Sequence, residues 1–173
     1  LHRGLAVVQL VVVAVLGLLS VPHSAHADIM IVIDKGAQSM SVIVDGDRRW
    51  VWLVSTGRRG YATPEGSYQV LRIEEAHSFR EDEAPTPHVI FFTTHGHAIH
   101  GTYQVRQLGT PVSHGLVRLS TKNAETLFAL MRQHGLANTQ VVVTGTEDFR
   151  PNPKRDRSRE PAPQAKIPSH IIE

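Results

Sequence analysis

The most informative part of this chain is Ser113-His114-Gly115-Leu116-Val117-Arg118-Leu119, which follows Ile99-His100-Gly101-Thr102 after a short intervening segment. Directly behind it the pattern becomes helical. Ser120 can cap a helix, Gly135 is placed to end it, and apolar residues recur at the i, i+3, i+4, i+7 spacing of one helix face: Ala124, Leu127, Phe128 and Met131. The sequence therefore predicts one helix immediately after residues 113–119.

Most of the remaining pattern predicts β-strands. Residues 29–33 are an apolar run, residues 40–45 alternate apolar with other side chains, Asp45-Gly46 is a hairpin turn signal, and a return strand begins at Trp50. Further strands are predicted over residues 68–73, 89–93 and 140–144. Several strands and one helix without βαβ alternation predict a mostly β domain.

Taken in order, these segments resemble the catalytic domain of the bacterial L,D-transpeptidases, which crosslink peptidoglycan stem peptides or attach proteins to them. The resemblance covers residues 29–144 and is carried by the opening strand pair, Val54-Ser55-Thr56-Gly57, Thr63-Pro64-Glu65-Gly66, His100-Gly101, the loop at 113–119 and the helix behind it. It implies a β-sandwich or barrel in which the active-site loop crosses one sheet.

The resemblance also implies roles for single residues. His100 matches the general base, Ser113 the residue that orients it or hydrogen-bonds to it, and the backbone amides of residues 115–117 the oxyanion site. His114 lies in the same loop as a further catalytic position, and the implied substrate-binding positions are Gly101, Gly115, Val117 and Arg118.

The family's nucleophile is a cysteine at the position of Leu116, and the chain contains no cysteine. Leucine has no ionisable proton and no lone pair, so an acyl-enzyme cannot form at position 116. Ser113 and Ser120 carry nearby hydroxyls, but Ser113 is three positions away and would need a rebuilt loop to reach the same carbonyl.

A metal is the other source of reactivity that the residues suggest, because histidines cluster at positions 88, 95, 97, 100 and 114. On a strand, however, His95 and His97 face one side and His100 the other. We therefore predict no metal and no cofactor, and expect His95 and His97 to be exposed polar residues on a hairpin.

Composition suggests what the two ends of the chain do. Residues 1–27 are predicted to be a signal peptide, with a positive charge at Arg3, an apolar run over residues 5–19 and the small-x-small site Ala25-His26-Ala27. Residues 28–146 are then the folded domain, exported to the periplasm or cell envelope. Residues 147–173, rich in proline and arginine, are predicted to be a disordered tail. An uncleaved signal, which would attach the protein to a membrane, is the alternative.

Net charge limits the partners. The formal net charge is +2, and the basic residues are not collected on one predicted element, so nucleic acid is not expected as a partner. The basic excess lies mainly in residues 150–160. These residues are interpreted as solvated, with a weak tether to anionic wall polymer or membrane as the alternative.

Several other residues leave two interpretations open. Arg118 is suited either to bind a substrate carboxylate or to tie the loop to its own backbone. The acidic stretch over residues 74–83 is expected to be a solvated loop, with a lid over the cleft as the alternative. Trp50 and Trp52 share one strand face and are expected in the core rather than in a sugar-stacking platform.

Two functions follow. The first is a non-catalytic cell-wall protein that binds stem peptides, or a partner enzyme of the wall, without turning them over. The second is an active peptidoglycan L,D-transpeptidase whose cysteine was lost from this sequence by engineering or sequence error.

Overall fold

The computed structural model describes residues 29–80 and 85–146. The predicted signal peptide and tail lie outside these residues, so both boundaries remain predictions. The described residues form two short 3-10 turns, Val105–Gln107 and Leu136–Asn138, and ten longer elements: β1 Ile29–Asp34, β2 Ser39–Val44, β3 Asp47–Leu53, β4 Gly66–Gln69, β5 Arg72–His77, β6 Thr86–Phe91, β7 Ala98–Thr102, β8 Val117–Ser120, α1 Thr121–His134 and β9 Thr139–Thr144.

The strands form two sheets. The first sheet has the order β3-β2-β1-β9-β4, and the second has the order β5-β6-β7-β8. Two neighbouring pairs are parallel, β1 with β9 and β7 with β8, while the others are antiparallel. The prediction of a mostly β sandwich or barrel with one principal helix is confirmed.

Alternation of side chains explains the first sheet. In β1 the residues at 29, 31 and 33 are fully buried, and β2 and β9 bury every second residue in the same way. The Asp45-Gly46 turn joins β2 to β3 with φ of 52° and 83°, the positive values that a two-residue hairpin turn requires. Trp50 and Trp52 stack at 5.7 Å and pack, partly exposed, against this layer.

The buried faces of both sheets meet α1 in a cluster that we call the inner core. The helix begins and ends as predicted: Ser120 accepts a hydrogen bond from the Asn123 amide, and Gly135 follows the last turn. The inner core consists of Ile29, Ile31, Ile33, Met40, Val42, Val44, Val54, Val70, Ile90, Phe92, Ile99, Val117, Leu119, Ala124, Leu127, Phe128, Met131, Val141 and Val143.

Two predictions about the middle of the chain are wrong. The single strand predicted over residues 68–73 is two strands in different sheets, because Val70 N–H donates to Thr139 O while Leu71 N–H donates to Phe91 O. The chain therefore passes from one sheet to the other at this point. The acidic stretch also begins as β5 rather than as a loop, and residues 81–84 lie outside the described residues.

No helix within the described ranges is long and apolar enough to cross a membrane.

Candidate active site

The candidate site lies on the face of the second sheet that points away from the inner core. Side chains alternate along β7, so Ile99 enters the inner core while Ala98 and His100 face outward. On this face a second apolar cluster forms, which we call the outer cluster: buried Val89, Phe91 and Ala98, with Phe79 and Leu116 packed against them. Arg118 of β8 is the register partner of His100.

His100 is held in one orientation by the backbone of its neighbour. It is 7% exposed, and its Nδ1 lies 2.9 Å from Gly101 O. Because a carbonyl oxygen only accepts, Nδ1 carries the proton and Nε2 keeps its lone pair. Nε2 is buried and hydrogen-bonds to no described residue. This is the tautomer of an imidazole that can accept a proton through Nε2.

Gly101 packs closely against Pro87 and Thr121 because it has no side chain. A Cβ there would be 3.2 Å from Pro87 Cγ and 3.2 Å from Thr121 Cα. A side chain at position 101 would therefore displace its neighbours and with them the carbonyl that orients His100.

Burial lowers the pKa of His100 to about 4, because the interior solvates the imidazolium poorly. The hydrogen bond to Gly101 opposes this shift, and the positive charge of Arg118 adds to it. The imidazole is therefore neutral near pH 7.

Ser113 does not have the role that the resemblance implied. Its hydroxyl donates to Leu116 O and accepts from the Gly115 amide, so it holds the loop in shape. His100 is oriented instead by the hydrogen bond that its Nδ1–H donates to Gly101 O. The prediction that Ser113 orients His100 is thus wrong, because the serine lies in a turn that its own side chain closes.

A second segment holds the loop from the other side. Thr63 is buried, accepts a hydrogen bond from Gly57 N–H at 2.9 Å and donates to Gly115 O at 3.0 Å. Ser113 pairs with the same segment, since its amide donates to Thr56 O and its carbonyl accepts from Arg58 N–H. Lys35, 5% exposed, donates to Thr63 O and pairs with Glu65 at 3.0 Å. These contacts join sequence-distant segments, and no local pattern indicated them.

Leu116 occupies the position where the resemblance places a nucleophile. Its side chain is half-buried in the outer cluster with Phe79, whose ring lies 6.0 Å from that of His100. The ring of His100 therefore lies near the apolar side chains of the outer cluster.

The amides expected to bind an oxyanion are not all available. Gly115 N–H already donates to Ser113 Oγ at 3.2 Å, and Gly115 has a φ of 101°, which favours glycine. Val117 is buried in the inner core and belongs to β8.

The Arg118 side chain contacts two glutamine side chains and not the loop backbone that one of its two interpretations named. Its Nη1 donates to Gln107 Oε1 at 2.9 Å and to Gln104 Oε1 at 3.5 Å, and its backbone exchanges two hydrogen bonds with Ser55. Burial lowers the pKa of its guanidinium. Its partners are neutral amides, so its positive charge remains available to an anionic ligand.

The other histidines do not converge with His100. His95 is exposed, while His97 is half-buried beside Gly115 and hydrogen-bonded to Thr93, and burial lowers its pKa. The expectation that both are exposed thus holds for His95 and is wrong for His97. His88 packs on Phe128. In the described part of the chain, no three potential ligands are grouped to hold a metal ion.

His114 is drawn into a group that the sequence did not reveal. Arg58 Nη2 lies 2.9 Å from His114 Nε2, and both side chains contact the ring of Tyr61. Arg58 and Tyr61 lie more than fifty positions before the loop in the sequence, so only the fold brings them together.

Comparison with known families gives one match over most of the chain: residues 28–153 fit the YkuD L,D-transpeptidase catalytic domain. The chain belongs to this family. A search of curated proteins gave no match.

Solved structures agree with this assignment. An L,D-transpeptidase from Mycobacterium smegmatis is 23% identical with a TM-score of 0.60, covering 68% of this chain and 59% of that one. An L,D-transpeptidase from Stackebrandtia nassauensis is 25% identical with a TM-score of 0.59, covering 69% and 56%. L,D-transpeptidase 3 from Mycobacterium tuberculosis, in complex with a faropenem-derived adduct, is 23% identical with a TM-score of 0.58, covering 68% and 60%. The matched part is thus under two thirds of each of these longer chains.

Proposed function

We propose that this chain is a cell-envelope protein that binds peptidoglycan stem peptides in the cleft of the L,D-transpeptidase fold without transferring their acyl groups. The observation that carries the proposal is Leu116, packed in the outer cluster beside a neutral, oriented His100. Family membership supports the ligand class, and the residue at position 116 supports the absence of turnover.

Acyl transfer needs a nucleophile that attacks the peptide carbonyl and a base that accepts the nucleophile's proton. His100 Nε2 is suited to accept a proton, but Leu116 has none to give. Ser113 is a poor substitute, because its hydroxyl is committed to Leu116 O and Gly115 N–H. A peptide carbonyl bound at this site would therefore face the apolar side chain of Leu116 and no nucleophile.

Export is part of the proposal because the ligand lies outside the cytoplasm. It rests on the signal-peptide pattern of residues 1–27, which predicts a mature chain beginning at Asp28 in the periplasm or envelope. Finding residues 1–27 retained in the membrane fraction by N-terminal sequencing would replace a periplasmic location with a membrane-anchored one.

The test combines a binding measurement with a covalent one. We expect a synthetic stem tetrapeptide to bind in isothermal titration calorimetry, and intact-protein mass spectrometry after incubation with faropenem to show no added mass. A stable adduct would contradict the non-catalytic function and indicate another nucleophile. Absence of peptide binding would contradict the ligand class, and retention of a wall enzyme without peptide binding would favour the partner-enzyme alternative.

The second function, a transpeptidase that lost its cysteine from this sequence, is favoured by one observation. His100 keeps the tautomer, burial and neutral charge of a working base although it has no thiol to serve. Sequencing codon 116 in the source genome separates the two functions, since a cysteine codon there would establish the second.

A further inference from the structure

Arg58, Tyr61 and His114 form a compact exposed group at the edge of the loop, which we call the rim cluster. Arg58 Cζ lies 4.6 Å from the centroid of the Tyr61 ring, and Arg58 Nη2 lies 2.9 Å from His114 Nε2. The rings of Tyr61 and His114 meet edge to face at 4.6 Å. Each side chain thus contacts both others.

The backbone fixes the rim cluster relative to position 116. Arg58 N–H donates to Ser113 O at 2.9 Å, and Tyr61 N–H donates to Arg58 O at 2.9 Å. Gly57 and Ser113 also form a β-bridge. His114 is two residues before Leu116 in the same loop, and the Ser113 hydroxyl donates to Leu116 O, so the cluster is joined to position 116 through the loop.

The polar groups of the cluster are suited to an anion. Because Arg58 has only donors, His114 Nε2 must accept, which leaves the proton on Nδ1 as a further donor. The cation–π contact with Tyr61 holds the guanidinium in place, and the donors that His114 does not use are available to an anion. The cluster therefore presents positive charge and N–H donors.

Three other arginines of the described residues are paired with carboxylates. Arg72 contacts Glu74 at 2.8 Å, Arg132 contacts Glu75 at 3.3 Å, and Arg49 contacts Asp47 at 3.5 Å. In residues 29–80 and 85–146, no carboxylate forms a salt bridge with Arg58. Arg58 is exposed, so its charge is accessible to solvent.

From this geometry we infer that the rim cluster binds a free carboxylate of the peptide ligand, with Arg58 as the principal contact. The inference rests on the proposed function and specifies it further: the preferred stem peptide ends in a carboxylate and not in an amide. Tyr61 and His114 act as positioning residues, because they hold the guanidinium in place.

Two peptides and three variants test this inference by calorimetry. The peptides are a stem tetrapeptide ending in a free carboxylate and the same peptide ending in a primary amide. We expect the unaltered chain to bind the carboxylate form about 10-fold more tightly, the size of one charge-assisted hydrogen-bonded contact. Arg58→Gln should bind both forms equally, and Arg58→Lys should keep only part of the preference, since lysine lacks the planar fork.

Arg59→Gln is the matched control, because it removes the same charge from the adjacent exposed residue. It should retain the preference if the contact is specific to Arg58, and an equal loss in both variants would indicate general electrostatic attraction and overturn the inference. Equal binding of the two peptides by the unaltered chain would overturn the inference while leaving the proposed function intact. Failure of both peptides to bind would overturn both.

Discussion

The inner core and the outer cluster are both apolar, but they differ in what they surround. The inner core joins two sheets and α1 through buried apolar side chains. The outer cluster is small and lies on one face of one sheet, beside a buried imidazole whose Nε2 has no partner among the described residues. The first holds the domain together, and the second sets the surroundings of one titratable group.

The difference shows that hydrophobicity can serve opposite purposes in one domain. Burial in the inner core stabilises the fold in proportion to the apolar area removed from water. Burial beside His100 disfavours the imidazolium and keeps the base neutral. Substitutions that exchange apolar for reactive or small side chains should therefore affect function in the outer cluster and stability in the inner core.

The largest effect is expected from Leu116→Cys. A thiol at this position would lie beside a neutral base in a preorganised loop, so we expect faropenem to form a stable adduct where the unaltered chain forms none. Intact-protein mass spectrometry measures this change. The double variant Leu116→Cys with His100→Gln is the control and should react far more slowly. A folded Leu116→Cys protein that stays unmodified would mean that the cleft has diverged beyond its nucleophile.

Truncating one leucine in each cluster compares their contributions to stability. Leu127 is fully buried in the inner core, so Leu127→Ala should lower the free energy of unfolding by about 3 kcal/mol. Leu116 is half-buried, and Leu116→Ala should cost about 1 kcal/mol. Urea unfolding of both variants measures the difference. Equal losses in the free energy of unfolding would show that the outer cluster contributes as much to stability as the inner core.

Acid should destabilise the domain through His100. The pKa of His100 is lowered from 6.5 to about 4 in the folded chain, so the unfolded chain takes up the proton first as pH falls. The stability that this neutral histidine contributes is complete above about pH 6.5 and is lost progressively towards pH 4. Between pH 7 and 4.5 we expect a loss of about 2 kcal/mol from this group.

Urea unfolding of His100→Gln at the same two pH values isolates this contribution. The variant should lose less stability on acidification than the unaltered chain. His95→Gln, which removes an exposed histidine, should keep the part of the pH dependence that His100 contributes. If the free energy of unfolding fell equally with pH in His100→Gln and in the unaltered chain, His100 would not be the group responsible.

The last prediction concerns the support of the loop. Thr63→Val keeps the shape of the side chain but removes the hydroxyl that joins Gly57 N–H to Gly115 O, and should cost about 1.5 kcal/mol. Thr63→Ser, which keeps the hydroxyl, should cost less. If the two variants were equally stable in thermal unfolding, packing rather than hydrogen bonding would position the loop.

The parts of the fold that sequence predicted well are those governed by neighbours along the chain. The helix, its Ser120 cap and its buried face follow from a spacing within fifteen residues, and the Asp45-Gly46 turn follows from two. The passage between sheets at Val70 and Leu71 was missed because neither residue is a turn former. Its hydrogen bonds go to partners in β9 and β6 that only the assembled fold supplies.

In the candidate site, too, some features were predicted from the sequence and others were missed. The resemblance located His100 and the loop, but the group that orients His100 is a backbone carbonyl, which leaves no side-chain signal in a sequence. Arg58 and Thr63 were missed because each contacts the loop across about fifty positions of chain. Ser113 was assigned the wrong partner because its position in the motif did not reveal the turn that its hydroxyl closes.

The parallel pairing of β1 with β9 bears on how the domain folds. Ile29 pairs with Thr139 and Asp34 with Thr144, so strands about 110 positions apart are neighbours within the first sheet. Such a pair forms only after a long loop has closed, and the closure entropy opposes it until the intervening strands have been placed. The first sheet therefore cannot be completed during synthesis until residue 144 has emerged, and a chain interrupted before β9 would leave β1 and β4 without their shared neighbour.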